Sequence, residues 1–402
     1  VSKARYLIGD TRGITATLDD DSVDLVLTSP PFLALRSYLP DGHEHKHAEI
    51  GGEGTPAAFI DVLLGLAAEW RRVLAPHGSI AIELGDTYSS SGGTTDNRET
   101  TNGGNDLAPR GARGGGTGWP LAKSLALVPE LFRIGLAYGI NPLTGQESPA
   151  GKWRVRNVVR WVRPNPPVGA LGDKYRPATT DMVIACVSDK RWFDLDAVRT
   201  TSATQDRKMW QSGGSDNGDN LVSHAGHFGQ NPAGAPPLDT WTIPTHPFKG
   251  AHYATWPPEL CRIPIESMCP RHVCNVCGQP RRRITETTRV VSGPADKHKG
   301  PDLETTPGDG GPFSARGIST TETLGWSDCG HNNNWRPGIV LDPFAGSGTT
   351  LAVATGHARD AIGIDLDPRN AELAEQRVGM FVTIEKPEKP LKDPDSVPIV
   401  EA

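Results

Sequence analysis

The apolar positions of this chain gather into short unbroken runs, separated by polar stretches rich in glycine and proline. VDLVLT (23–28), SIAIEL (79–84), DMVIACVS (181–188), GIVLDP (338–343) and DAIGIDLDP (360–368) read as strands buried on both faces. Helical spacing fills the gaps. Thr55 and Pro56 look like the cap and first residue of a helix over AAFIDVLLGLAAEWRRVL that closes at His77-Gly78; a second helix covers Leu121 to Tyr138, and RNAELAEQRVGMF is amphipathic. KWRVRNVVRWVRPNPP alternates as a strand does. Strands alternating with helices predict an α/β chain built on a doubly wound, mostly parallel sheet.

Four stretches break the pattern. Residues 89–118 read as a mobile polar loop, 200–240 show no period, 292–319 are low in complexity within a cysteine-bearing insert, and the last twenty residues read as a disordered tail. Composition adds limits. A length of 402 residues with 46 glycines and 35 prolines suits one main core with insertions. The net charge of -6 excludes a coat of overall basicity for nucleic acid but leaves room for a local basic groove. No run approaches the roughly 20 apolar residues that span a bilayer, and VSKARYLIGD lacks a signal-peptide core, so a cytoplasmic protein with no membrane partner is expected.

VLTSPPF (26–32) drives an apolar strand into two prolines, which cannot donate to a sheet ladder. The strand must stop at Ser29, and Pro30 and Pro31 form a stiff corner at the carboxyl edge, where open α/β sheets bind ligands. A rigid strand end with Phe32 as a core plug is the plainer alternative. IVLDPFAGSGTTLAVA is a strand, a glycine loop and a helix; the glycines admit a ligand close to the backbone, and the helix start offers free N–H groups. The next strand ends in Asp365, whose carboxylate can accept both hydroxyls of a ribose, so the two features indicate a nucleoside cofactor. The lysine of a P-loop is missing and the spacing is not GxGxxG. A carboxylate such as Asp342, in place of a phosphate cradle, suits a positively charged sulfonium cofactor.

DPFAGSGTT with IGIDLDP near the carboxyl end, and TSPPF near the amino end, resemble the beta-class S-adenosylmethionine-dependent DNA amino-methyltransferases, in which the catalytic motif precedes the cofactor motif. LIGD (7–10), RRVLAPHGSIAIELGDTY (71–88), RNVVRWVRPNPP (156–167), FDLDAVR (193–199) and PFKGAHYATWPPEL (247–260) extend the resemblance over most of residues 5–270 and 336–380. It implies a Rossmann-like class I methyltransferase fold with permuted motif order. The implied layout is a catalytic half (1–199) with its loop 89–118, a target-recognition region (200–245), a cofactor-covering segment (246–268), a zinc-ribbon-like insert (269–335), a cofactor-binding half (336–382) and a tail (383–402). The implied reaction is site-specific methylation of the exocyclic amine of a flipped-out base in double-stranded DNA, with a cognate restriction endonuclease as a further partner.

By the same resemblance, Ser29 Oγ and the Pro30 carbonyl accept the hydrogens of that amine, Pro31 stiffens the corner and Phe32 stacks on the base. Asp10 accepts from the cofactor's adenine and Asp365 from its ribose. Thr28, Asp342, Pro343, Phe344, Ala345, Gly346, Ser347, Gly348, Thr349 and Thr350 line the cofactor crevice, and Lys249, Gly250 and His252 cover the methionine end. In this family a Ser before the prolines goes more often with cytosine N4, and an Asp or Asn with adenine N6, so cytosine N4 is the expectation and adenine N6 the alternative. A catalytically silent DNA-binding module is a second alternative. Ring-carbon methylation would need a Pro-Cys nucleophile, which the chain lacks. RNA or protein glutamine methylation goes with an Asn-Pro-Pro-Tyr turn, which TSPPF does not match. Lys152, Arg154, Arg156, Arg160 and Arg163 form a candidate phosphate-facing groove, although alternation puts only some on one strand face.

CNVCG (274–278) with CGH (329–331) resembles a zinc ribbon, with Cys274, Cys277, Cys329 and His331 as ligands and Cys269 and His272 in reserve. Its Cys-x-His half departs from the usual CxxC or HxxxH, and free thiols in a loop are the alternative. Cys186 and Cys261 read as core residues. Arg281 to Arg283 are either phosphate contacts or a solvated charge run.

Overall fold

A computed structural model describes residues 2–35, 37–39, 42–43, 45–90, 115–166, 172–200, 234–245, 256–290, 318–332 and 334–385. In chain order the strands are β1 (Ala4–Ile8), β2 (Val23–Thr28), β3 (Leu74–Leu84), β4 (Arg154–Val162), β5 (Thr179–Cys186), β6 (Thr240–Thr242), β7 (Val273–Cys274), β8 (Arg283–Val290), β9 (Ile318–Trp326), β10 (Trp335–Arg336), β11 (Ile339–Asp342), β12 (Asp360–Asp365) and β13 (Val382–Glu385). The α-helices are α1 (Thr11–Thr15), α2 (Pro56–Val73), α3 (Val128–Tyr138), α4 (Pro258–Met268), α5 (Thr349–Gly356) and α6 (Arg369–Val378). The chain forms two compact units, Val1–Phe193 with Leu238–Arg281 and Cys329–Ala402, and Asp194–Pro237 with Arg282–Asp328.

The first unit holds a nine-stranded sheet in the order β13-β1-β12-β11-β2-β3-β5-β4-β6. Strands β13, β1, β12, β11, β2 and β3 run parallel, and β5 runs against its neighbours β3 and β4. All six positions of β2 are buried, as its unbroken apolar run requires. Val26 faces an apolar layer built on Phe59, Trp70 and Phe132 of α2 and α3, while Leu25 and Leu27 face a second layer with Leu260, Leu351 and Ala374 of α4, α5 and α6. The parallel strands end at one edge, at Ile8, Thr28, Leu84, Asp342 and Asp365. Strand order reverses between β2 and β11, and such a switch point opens a crevice for a ligand.

Some boundaries differ from the sequence expectation. Thr55 caps α2, its hydroxyl accepting from Ala58 N at 3.2 Å, but the helix ends at Val73 rather than at His77-Gly78. Pro76 disfavours helical backbone at Ala75 and turns the chain into β3. The helix expected from Leu121 starts only at Val128: Pro129 fits its first turn, and the Asp86 carboxylate accepts from Leu127 N (3.0 Å) and Val128 N (3.2 Å). The expected tail begins too early. Residues 383–385 belong to β13, which pairs with β1 and is pinned by an Arg5–Glu385 ion pair of 2.8 Å. β6, within the expected recognition region, adds to β4. Among the described residues, no helix is long and apolar enough to cross a membrane.

The second unit contains the antiparallel hairpin β8–β9, whose second strand starts inside the stretch read as low in complexity. Arg283 there pairs with Asp194 at 2.6 Å and lies over the Trp326 ring at 4.8 Å, so this member of the arginine run is a structural residue.

Candidate active site and Cys/His cluster

Ser29 leaves β2 half-buried, and its hydroxyl donates to Glu83 Oε2 at 2.5 Å. Glu83 is buried in β3, one residue before the strand ends; burial pushes its carboxyl up, against the pull of the Ser29 hydrogen bond. Sequence reasoning did not single out Glu83, although an acid inside the apolar run SIAIEL was the signal. Pro30 is buried, while Pro31 and Phe32 are partly open. The Phe32 ring rests on Gly85, where a Cβ would approach ring carbons closer than 3.0 Å. Gly85 thus forms the floor of the corner.

At the β2–β11 seam the Thr28 hydroxyl donates to Asp342 Oδ1 at 2.6 Å, joining the proline motif to the glycine loop. Asp342 also accepts from Phe344 N at 3.1 Å, and burial pushes its carboxyl up to about 6. Pro343, Ala345, Ser347 and Gly348 are buried in the loop, and Thr349 and Thr350 open α5. Gly346 has φ +49°, and no atom lies within 4 Å of where its Cβ would stand. Its N–H donates to Asp365 Oδ2 at 2.8 Å, and its carbonyl accepts from the Tyr6 hydroxyl at 2.7 Å. Asp365 Oδ1 accepts from Asp367 N and Asn370 Nδ2, both at 2.9 Å, and burial pushes Asp365 up to about 6. Tyr6 and Asn370 are supports that motif reading missed.

This crevice fits S-adenosylmethionine. The open space over Gly346 admits a ligand against the backbone, the carboxylates of Asp342 and Asp365 are held by N–H groups of the loop to offset a cationic one, and a P-loop lysine is absent from the motif. Asp10 lies at the same edge as the N-cap of α1, accepting from Arg12 N at 3.0 Å and from its guanidinium at 2.8 Å. Lys249, Gly250 and His252 lie outside the described residues.

The five basic residues do not gather at one place. Register with β5 sets Arg160 opposite Asp181, near the active-site edge, and Arg154 opposite Cys186, toward the other end. Arg163 follows β4 at the active-site edge, half-buried, with its guanidinium 5.3 Å from the Trp161 ring centre. Lys152, Arg154 and Arg156 are exposed, roughly 20–35 Å along the strand from Arg163 at about 3.3 Å per residue. Arg160 is held by Asp181 at 3.0 Å.

Cys274, Cys277, Cys329 and His331 converge, each offering one ligand atom within 4.8 Å of the others. The reserve residues stay apart from them. Cys269 is buried at the end of α4, where its carbonyl accepts from Arg359 at 2.8 Å, and the His272 carbonyl accepts from Arg281 N at 2.9 Å. Cys186 and Cys261 are fully buried core thiols.

A family profile described as DNA methylase matches residues 23–272 and 333–376, well over half of the chain. The type II methyltransferase M.SmaI of Serratia marcescens is 23% identical over 381 residues, covering 93% of this chain and 90% of that protein. M.Cfr9I of Citrobacter freundii is 24% identical over 377 residues, covering 92% and 86%. M.SfiI of Streptomyces fimbriatus reaches 32% identity over 209 residues, where the chain spans only 42% of that protein. The fold resembles that of PvuII DNA methyltransferase (cytosine-N4-specific), with a TM-score of 0.50 at 14% identity, over 94% of this chain and 86% of that one. Profile and sheet together carry the glycine loop and the proline corner to one crevice, and the chain belongs to the DNA methylase family, as an amino-methyltransferase that uses S-adenosylmethionine to methylate DNA.

Proposed function

We propose that this chain methylates cytosine N4 within a specific double-stranded DNA sequence, on a base flipped into the Ser29–Pro30–Pro31–Phe32 corner. The hydrogen bond from Ser29 Oγ to Glu83 carries the reading. At 2.5 Å it has the length of a hydroxyl donating to a carboxylate, and it commits the only Ser29 proton, leaving Oγ as an acceptor. Oγ accepts one amine hydrogen. The Pro30 carbonyl, which no described residue engages, accepts the other with its direction fixed by the prolyl ring. Holding both hydrogens localises the nitrogen lone pair, while Phe32, braced on Gly85, stacks on the base.

When bound, S-adenosylmethionine supplies an electrophilic sulfonium methyl. Asp365 would hold its ribose, Asp10 its adenine, and the loop from Asp342 to Thr350 its body, with Lys249, Gly250 and His252 assigned to its methionine end. After transfer the amine nitrogen carries a surplus proton. It passes to Ser29 Oγ as the Ser29 proton moves to Glu83, a carboxylate whose burial makes it a ready acceptor.

The serine favours cytosine N4 over adenine N6, and the similarity to a cytosine-N4-specific enzyme supports that choice. Arg160 and Arg163 are assigned to backbone phosphates beside the corner, and residues 200–245 to the choice of sequence. The type II designation of the relatives supports a role beside a cognate endonuclease. Digestion to nucleosides of DNA labelled from tritiated cofactor tests the reading: N4-methylcytosine is the expected product, N6-methyladenine would move the specificity to adenine, and unlabelled DNA would reject it.

A further inference from the structure

The cluster of Cys274, Cys277, Cys329 and His331 shares no residue with the site described above, and its four ligand atoms lie within 4.8 Å of one another. We propose that it binds one zinc ion per chain, as a structural clamp that closes the 51-residue excursion between Cys277 and Cys329 and seats Arg336 against the catalytic strand β2.

Distances support the metal. With Zn–S near 2.3 Å and Zn–N near 2.0 Å, tetrahedral angles put a sulfur and an imidazole nitrogen about 3.5 Å apart. His331 Nδ1 lies 3.5 Å from Cys274 Sγ and 3.4 Å from Cys329 Sγ. All three cysteines are free thiols rather than disulfide partners. The backbone is shaped around the same point. Val276 N–H approaches Cys274 Sγ at 3.4 Å, and Gly278, at φ +67°, donates to the Cys274 carbonyl at 2.9 Å, closing a turn that brings Cys277 round. Gly330, at φ +80°, turns the chain between Cys329 and His331 so that side chains two apart meet. That turn explains how Cys-x-His replaces a CxxC half. Three thiolates and one imidazole leave no coordination position for chemistry, so the role is structural.

The two ligand pairs are tied by further bonds. β7 pairs with β10, setting Cys274 opposite Trp335 and Val273 opposite Arg336, and Asn275 N donates to the Asn334 carbonyl at 2.9 Å. Arg336 then donates to Asp24 Oδ2 at 2.6 Å. Asp24 lies fully buried in β2, and it also accepts from His77 Nε2 at 2.8 Å and Ile339 N at 2.7 Å. The clamp thus sits one short ribbon away from the strand whose other end carries Ser29.

Metal analysis of the full reduced chain is expected to find one zinc per chain. Replacement by cobalt should give the visible bands of a tetrahedral ion with a thiolate-to-metal charge-transfer band, and chelation should make three further thiols reactive. The Cys277→Ser, Cys329→Ser double variant should lose the metal. Should that variant not fold, His331→Cys should keep zinc and His331→Ala should release it to a weaker chelator than the unaltered chain requires. Zinc-free reduced protein, thiol reactivity indifferent to chelator, or His331→Ala holding zinc as tightly as the unaltered chain would each overturn the proposal.

Discussion

Ser29 Oγ donates its hydrogen to Glu83 Oε2 at 2.5 Å, pairing the last hydroxyl of the catalytic strand with a buried acid of the neighbouring one. In the proposed mechanism this relationship makes Ser29 an acceptor and gives the surplus amine proton a place to go. Burial raises the Glu83 carboxyl, and the proposed proton acceptor is its ionised form, so single-turnover transfer should fail as pH falls through that raised value. Glu83→Gln, which has no proton sink, should lose this acid limb and run about 10²-fold or more slower. An unchanged pH profile in the variant would remove Glu83 from the reaction.

Gly85 has no room for a side chain beneath Phe32. Gly85→Ala should tilt the ring and weaken its proposed stack on the flipped base, worth about 1–3 kcal/mol and hence about 5- to 150-fold in apparent DNA affinity. Fluorescence of 2-aminopurine at the target position reads the stacking directly, and cofactor affinity should stay unchanged.

Asp342 and Asp365 are both pushed up to about 6 by burial. In the proposed cofactor site their charged forms accept from the ligand and offset its positive charge, so cofactor affinity should be full above that value and decline as pH falls through it. Titration calorimetry across this range checks the sign. Asp365→Asn should weaken binding about 10- to 100-fold, the cost of losing charge-assisted hydrogen bonds, and should flatten part of the pH dependence.

The buried Asp24 anchors three donors. Burial alone would raise its carboxyl, but the hydrogen bonds from His77 and Arg336 outweigh it and hold the group below the ordinary value of 3.8. Its contribution to stability is therefore present above that value and lost as pH falls through the lower folded one. Asp24→Ala, which strands Arg336 and His77, should cost about 3–5 kcal/mol in urea unfolding. A loss within experimental error would show that β2 does not depend on this anchor.

Much of the fold was legible because its strands are buried on both faces. VDLVLT could be read as β2 since a helix-covered parallel strand has no polar face to disguise it. The motifs at the seam were legible for a related reason: Pro30 and Pro31 cannot donate to a sheet ladder, and Gly346 and Gly348 take positive φ that side chains rarely adopt. What sequence did not reveal depends on partners remote in the chain. Glu83 looks misplaced in SIAIEL until Ser29 is brought beside it, 54 residues away in sequence. β13 resembles tail until β1 offers an edge, and Leu121 to Leu127 look helical until Asp86 and Pro129 set the start of α3. The basic residues from Lys152 to Arg163 read as a candidate groove with only some on one strand face, and strand length spreads them further along the sheet.

Ser29, made an acceptor by Glu83, is proposed to activate the amine. The most direct test is the single-turnover transfer rate of Ser29→Ala with cofactor and duplex DNA saturating, alongside its cofactor affinity. A loss of about 10²-fold or more in transfer with cofactor affinity unchanged is predicted. Transfer at the rate of the unaltered chain, or equal losses in transfer and affinity, would contradict it.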